Sequence, residues 1–221
     1  MSAPIHVAML EDHQSIIDGY MFRLQKAPDI EVVGSSYYGE GIETLLAKHP
    51  VDVLLLDAHI PTAANNPSPF PVLVLLPHLL ERYPNLRTLV ITMHNSRSFI
   101  EHAMESGASG YIMKNDYNAI ENLDSVIRSI ASGGVYFSKE VFWILLKNWG
   151  DSNKLTPRQR DALALCAAYP NETTAVLAQR LGIADSTMRN LLSEAYVKLG
   201  TRNRTAALEE AHRRGILLLH Q

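Results

Sequence analysis

Short, almost uninterrupted apolar runs recur along the first half of the chain, and four of them stop abruptly on polar side chains. Ile5–Leu10 is followed by Glu11 and Asp12, and Val51–Leu56 by Asp57. Leu89–Ile91 is followed by Thr92, and Tyr111–Met113 by Lys114. Near-continuous apolar runs of this length are the pattern of parallel strands buried on both faces. Between them the apolar positions repeat with the helical period. The pattern predicts strands near 5–10, 30–34, 52–57, 87–92 and 109–113, interleaved with helices near 14–27, 40–48, 71–83, 97–106 and 117–132. Such alternation predicts an α/β domain over residues 1–132, a doubly wound five-stranded parallel sheet with helices on both faces.

In an open sheet of this kind the carboxyl ends of the strands share one edge, where ligands bind. Glu11, Asp12, Asp57, Thr92 and Lys114 therefore converge from positions far apart in sequence. Three carboxylates, a hydroxyl and an ammonium suit Mg2+ and a phosphoryl group. Mg2+ takes one or two carboxylates, substrate oxygens and waters in octahedral geometry. Asp12 and Asp57 are the expected direct ligands, with Glu11 nearby or acting through water. Asp57 is also a candidate nucleophile, because a carboxylate can form an acyl phosphate. Metal and Lys114 would offset charge on the transferred group, and Thr92 would donate to one of its oxygens. Taken singly, each residue is ordinary for a strand end; their joint order carries the reading.

After Ser132 the texture changes. Gly133-Gly134 ends a helix, and residues 135–149 read as a short strand-like entry followed by an amphipathic helix on which Trp143 and Trp149 would anchor packing. Residues 150–154 are polar and turn-prone, so 133–154 is assigned as a linker with a helix. An all-α domain then spans 155–221. Thr156, Pro157 and Gln159 make a capping box with proline at the first helical position. A second helix near 174–181, the turn Gly182-Ile183-Ala184 and a third helix from Ser186 to Leu199 form a helix-turn-helix pattern.

Two families of motif now stand in order along the chain. Met9-Leu10-Glu11-Asp12-His13, Leu54-Leu55-Leu56-Asp57-Ala58-His59-Ile60-Pro61, Val90-Ile91-Thr92-Met93-His94 and Gly110-Tyr111-Ile112-Met113-Lys114 resemble the receiver domain of bacterial two-component response regulators. Leu155-Thr156-Pro157-Arg158-Gln159-Arg160, Leu177-Ala178-Gln179-Arg180-Leu181, Ser186-Thr187-Met188-Arg189 and Lys198-Leu199-Gly200 with Arg204-Thr205 resemble the LuxR-type helix-turn-helix of NarL/FixJ-type regulators. The resemblance implies that Asp57 accepts a phosphoryl group from a partner histidine kinase, and that Glu11, Asp12 and Asp57 hold Mg2+. It also implies that Thr92 and Tyr111 are a switch pair and that Lys114 contacts the phosphoryl oxygens. In the second domain it implies a recognition helix in the major groove of promoter DNA. Arg189, Asn190 and Ser193 would face bases, Lys198, Arg202 and Arg204 would contact phosphates, and Thr187 would cap the helix or touch a phosphate. The last helix, 205–214, resembles one used for dimer contacts, with Ala206, Leu208 and Ala211 as candidates, and an active homodimer is expected. Their alternative reading is core packing.

Several departures qualify the match. Glu11 replaces the first acid of the usual pair, and its extra methylene suits water-mediated metal contact. The stretch from Thr62 to Pro71 lengthens the spacing between Asp57 and Thr92 and carries Pro67, Pro69 and Pro71, so it reads as a stiff, partly extended surface insertion. Its alternative reading is a lid or partner contact beside the acidic site. Pro77 falls inside the following helix and is expected to kink or delay it. In the second domain, Leu191 stands where relatives often carry histidine, and Glu194 adds negative charge near the reading face.

Charge partition agrees with two modules. Residues 155–221 carry nine Lys/Arg against six Asp/Glu, while the rest of the chain balances at −6, for a total of −3. A modest basic excess predicts weak, salt-sensitive binding by one copy. The single cysteine, Cys166, excludes an internal disulfide. No signal peptide or membrane-length apolar run is visible, which leads to the expectation of a cytoplasmic protein. The leading reading is a transcription factor switched by phosphorylation of Asp57, not an enzyme. A phosphorylation-independent DNA-binding regulator is the alternative. An aspartyl-phosphate phosphatase is remote, because His59 stands where the haloacid-dehalogenase type needs a second acid.

Overall fold

The computed structural model describes residues 3–146 and 154–217. The first domain alternates strand and helix: β1 (Ile5–Leu10), α1 (Gln14–Leu24), β2 (Ile30–Ser36), α2 (Ile42–Lys48) and β3 (Val53–Leu56). A short antiparallel hairpin, β4 (Pro61–Ala63) and β5 (Asn66–Pro69), precedes α3 (Val72–Arg82) and β6 (Arg87–Thr92). Then follow α4 (Arg97–Glu105), β7 (Gly110–Met113), α5 (Tyr117–Glu121), α6 (Leu123–Ala131), β8 (Tyr136–Phe137) and α7 (Lys139–Leu146). The second domain contains α8 (Pro157–Ala168), α9 (Thr174–Arg180), α10 (Asp185–Leu199) and α11 (Arg204–Arg213).

The main sheet is parallel, in the order β2-β1-β3-β6-β7-β8. Val7–Leu10, Val53–Leu56 and Leu89–Ile91 are almost wholly buried. Alternate residues along each strand feed separate apolar clusters: Leu54 and Leu56 belong with α2, α3 and α4, and Val53 and Leu55 with α1 and α6. The order reverses between β1 and β3, which opens the edge carrying Glu11, Asp12 and Asp57.

Several expectations need correction. The sheet has six strands, because β8 adds to the free edge of β7, pairing Gly110 with Tyr136 and Tyr111 with Phe137. The single helix expected over 117–132 is two, meeting at Asn122. Pro77 lies inside α3, as expected, and the helix begins at Val72 without delay. Trp143 is half-exposed and meets the Phe142 ring edge to face. Trp149 lies outside the described residues.

The proline-rich insertion is not a free surface loop. Thr62 is fully buried and its hydroxyl donates to the Ser68 carbonyl (2.7 Å), closing the hairpin. The Phe70 amide donates to Ile60 (2.7 Å), and its ring lies over Gly39, where a Cβ would come within 1.9 Å of the ring. From the end of the hairpin onward, Pro69, Phe70, Pro71 and Val74 form one wall of a seam whose other wall is Ala164, Ala167, Ile216 and Leu217 of the second domain. Val74 is buried in the second domain's own apolar cluster. The lid reading is replaced by a strut between the two domains of the same chain.

α4 supplies a polar half to the same seam. Glu101 accepts from Arg97 (2.7 Å) and Lys154 (3.1 Å), and His102 Nε2 lies 2.9 Å from the Asp161 carboxylate. Arg160, 3% exposed, pairs with Glu105. A buried guanidinium is tolerated only when paired, so Glu105 sets where α8 can sit. Phe70→Ala removes the hairpin's aromatic anchor. It is expected to lower the stability of the chain by about 3 kcal/mol or more, as read from urea unfolding followed by circular dichroism.

Candidate functional site

At the ends of β1 and β3 the chain buries acids that would ordinarily seek water. Glu11 and Asp57 have side chains only 4% exposed, and both turn toward the ammonium of Lys114, which follows β7. Lys114 Nζ lies 2.7 Å from Glu11 Oε2 and 2.8 Å from Asp57 Oδ2. The extra methylene of Glu11 is what carries its carboxylate across to that ammonium. Its other oxygen, Oε1, accepts from the His13 amide (3.1 Å). Asp57 Oδ1 accepts from the His59 amide (3.1 Å), which fixes the second oxygen of this carboxylate.

Burial pushes the Glu11 carboxyl above its usual range; the Lys114 hydrogen bond opposes this and the Asp57 charge adds to it. Burial works against the charge on Lys114, but the Asp57 and Glu11 carboxylates outweigh it and raise the ammonium. Burial likewise raises the phenols of Tyr20 and Tyr111, with the acidic site adding to both. One cation thus serves two buried carboxylates, leaving an unbalanced negative charge.

A third group, absent from the ligand set expected from sequence, stands at this edge. His13 Nδ1 lies 2.7 Å from Asp12 Oδ1 and 3.2 Å from Glu11 Oε1, and the Asp12 charge, above all, raises its basicity. Potential ligand atoms of Glu11, Asp12 and His13 all fall within 4.8 Å of one another. Asp57 is outside this group, with Oδ2 engaged by Lys114. The carboxylate oxygens fit a hard divalent cation such as Mg2+. The position of His13, immediately after the acid pair, was the available signal for it.

Thr92 and Tyr111, both buried, meet at one residue. The Thr92 hydroxyl accepts from the His94 amide (3.3 Å), and the Tyr111 hydroxyl donates to the His94 carbonyl (2.6 Å). Tyr111 therefore lies inward, against the loop between β6 and α4.

The second domain presents α10 outward. Thr187, Arg189, Asn190 and Ser193 are exposed, and Met188, Leu192 and Ala195 are buried behind them. Arg189 is held by Asp185 at 2.8 Å. Thr187 does not cap this helix; Ala184 occupies the cap, without a side-chain bond. Arg202 is exposed, but two other expected phosphate contacts are occupied within the fold. Lys198 donates to the Lys154 carbonyl and to Gln159 (3.0 Å each), and Arg204 to the carbonyls of Cys166, Tyr169 and Glu172. Free helix-end carbonyls at α8 explain the Arg204 placement. Gln159 holds Glu194 (2.8 Å), and Ala211 is fully buried in the domain core, so the packing reading of that alanine prevails.

A buried acid–lysine site on a doubly wound sheet, joined to a helix-turn-helix, defines a receiver coupled to a nucleic-acid-binding module. Residues 7–125 match the response regulator receiver domain family. Over 96% of its length the chain is 30% identical to the transcriptional regulatory protein MctR of Rhizobium johnstonii, covering 95% of that protein. Over the same share it is 29% identical to the nitrate/nitrite response regulator NarL of Escherichia coli, covering 97% of it. The fold is also that of RcsB from Salmonella enterica, solved on promoter rprA with phosphomimetic BeF3- (TM-score 0.66, 20% identity, 94% of this chain and 98% of that one). The chain belongs to the two-component response regulators of the NarL/FixJ type, DNA-binding transcriptional regulators with a receiver and a helix-turn-helix.

The raised Glu11 carboxyl gives a pH test. A folded-state value above the unfolded one means that its stabilising contribution is complete below the ordinary value of 4.5 and lost as pH rises through the raised value. In metal-free buffer the parent should lose stability relative to Glu11→Gln over that window. Millimolar Mg2+ should recover more for the parent than for the variant, as read from paired thermal melts.

Proposed function

We propose that Asp57 accepts a phosphoryl group from a sensor histidine kinase and that this occupancy controls promoter binding by α10. The observation that carries the reading is the pairing of Lys114 with the Asp57 carboxylate at 2.8 Å, with Glu11, Asp12 and His13 alongside. In the transfer, a carboxylate oxygen of Asp57 attacks phosphorus and the N–P bond of the donor phosphohistidine breaks, its electron pair leaving with the imidazole. Glu11, Asp12 and Asp57 would hold Mg2+, which would supply charge neutralisation when bound. Lys114 gives up its contact with Asp57 and takes a phosphoryl oxygen, so the ammonium follows the developing charge. The acyl phosphate carries roughly −2 where the free carboxylate carried about −1, and its oxygens draw the Thr92 hydroxyl.

On the DNA side, Arg189 pairs with guanine through its planar fork and Asn190 and Ser193 read neighbouring bases. Arg202, which is exposed, contacts a phosphate. Lys198 and Arg204 act through the fold, holding α10 and α11 on α8. One copy has few free cations, so a homodimer on paired half-sites supplies the affinity. Among the described residues no helix is long and apolar enough to cross a membrane, and we place the protein in the cytoplasm.

The deep burial of Asp57 favours one competing reading, a DNA-binding regulator that does not need the phosphoryl group. Intact mass after incubation with acetyl phosphate and Mg2+ separates the two. One phosphoryl mass is expected on the parent and none on Asp57→Asn; no gain on a folded parent would establish the competitor.

A further inference from the structure

His94 is bonded to both members of the expected switch pair and, through its side chain, to the DNA-binding domain. Its amide rests on the Thr92 hydroxyl (3.3 Å) and its carbonyl receives the Tyr111 hydroxyl (2.6 Å). Its ring nitrogen Nε2 lies 2.8 Å from the carbonyl oxygen of Gly215, which follows α11. A carbonyl only accepts, so Nε2 carries the proton. The Ser96 hydroxyl donates to the same carbonyl and lies 3.2 Å from Nε2. Phe99 meets the His94 ring edge to face at 4.5 Å, fixing its direction.

The second domain is shaped to offer that carbonyl. Gly215 has φ +67°, and the Ile216 amide returns to the Ala211 carbonyl, the left-handed close of a helix. A Cβ at Gly215 would also come within 2.9 Å of the Ser96 Cβ. Backbone conformation and close approach both require glycine here, and Ile216 and Leu217 then bury against the seam beside Phe70 and Phe99.

We propose that His94 is the joint that holds the DNA-binding domain against the receiver, and that phosphorylation opens it by taking Thr92 away. The inference rests on Asp57 being the phosphoryl acceptor. Once the Thr92 hydroxyl turns to the phosphoryl group, the His94 amide loses its acceptor. The loop from Met93 to Ser96 then moves with it, and both donors leave the Gly215 carbonyl. α10 packs within its own domain and its reading residues are already exposed. Release therefore frees the position of the domain and leaves the recognition helix itself unchanged.

The test places spin labels at Tyr117→Cys and Val197→Cys, both strongly exposed and on opposite domains, in the full chain. Distances are measured with and without BeF3- and Mg2+. The unliganded parent should give one narrow distance, and BeF3- should add a longer, broader population. His94→Ala should populate that longer distance without BeF3-, raising it roughly 3- to 10-fold, the order expected for one net hydrogen bond. His94→Gln, whose amide can still donate, should restore closure and guards against a folding artefact. A His94→Ala distance identical to the parent's would overturn the joint. Opening by His94→Ala in a chain whose parent ignores BeF3- would retain the joint and overturn its control by Asp57. The two failures are thereby distinguished.

Discussion

Two buried carboxylates, Glu11 and Asp57, share the single ammonium of Lys114. The whole receiver is arranged around this imbalance. The parallel sheet delivers the three groups from the ends of three strands, and its apolar faces deny them water. With bulk solvent excluded, the surplus negative charge can be relieved only by protonation or by a cation. Asp12 and His13, at the open rim of the same edge, are where a divalent ion would supply that relief. The site is therefore poised for an anionic group that arrives together with metal. In the proposed transfer, Lys114 moves from carboxylate to phosphoryl oxygen as that group arrives.

Any such rearrangement is carried to the second domain over a short path. Thr92 and Tyr111 hold one loop residue, His94, between them, and α4 begins directly beyond it. α4 then meets the start of the second domain through Glu101, His102 and Glu105, while the hairpin after Asp57 reaches the same domain through Pro69 and Phe70. The segments following β3 and β6 thus form both halves of the interdomain seam. Partly exposed ion pairs there contribute little each, so the closed arrangement depends on their combination with apolar packing. A modest change at one end can then shift the balance between arrangements.

Much of this was legible in the chain. Strand runs with polar ends located β1, β3, β6 and β7 and their polar groups because strands buried on both faces are mostly apolar up to the sheet edge. The capping box at Thr156 marked α8 because its partner residues are local. What escaped was long-range. The strand-like entry after Gly134 is legible and becomes β8, but nothing near it announces pairing with β7, and a proline-rich stretch reads as a loop because its hairpin is fixed by Gly39 and by the second domain. Arg204 reads as a surface cation until the free carbonyls of α8 come beside it. His94 had no signal of its own, since its significance lies in Gly215, more than a hundred residues away.

The most direct measurement is affinity for a duplex selected from a random pool by the acetyl-phosphate-treated protein, compared at fixed salt before and after treatment. Fluorescence anisotropy should show binding tightened roughly ten-fold, within the usual range of coupling between sites, in the parent and not in Asp57→Asn. Equal affinity in a parent whose mass confirms the phosphoryl group would contradict the account.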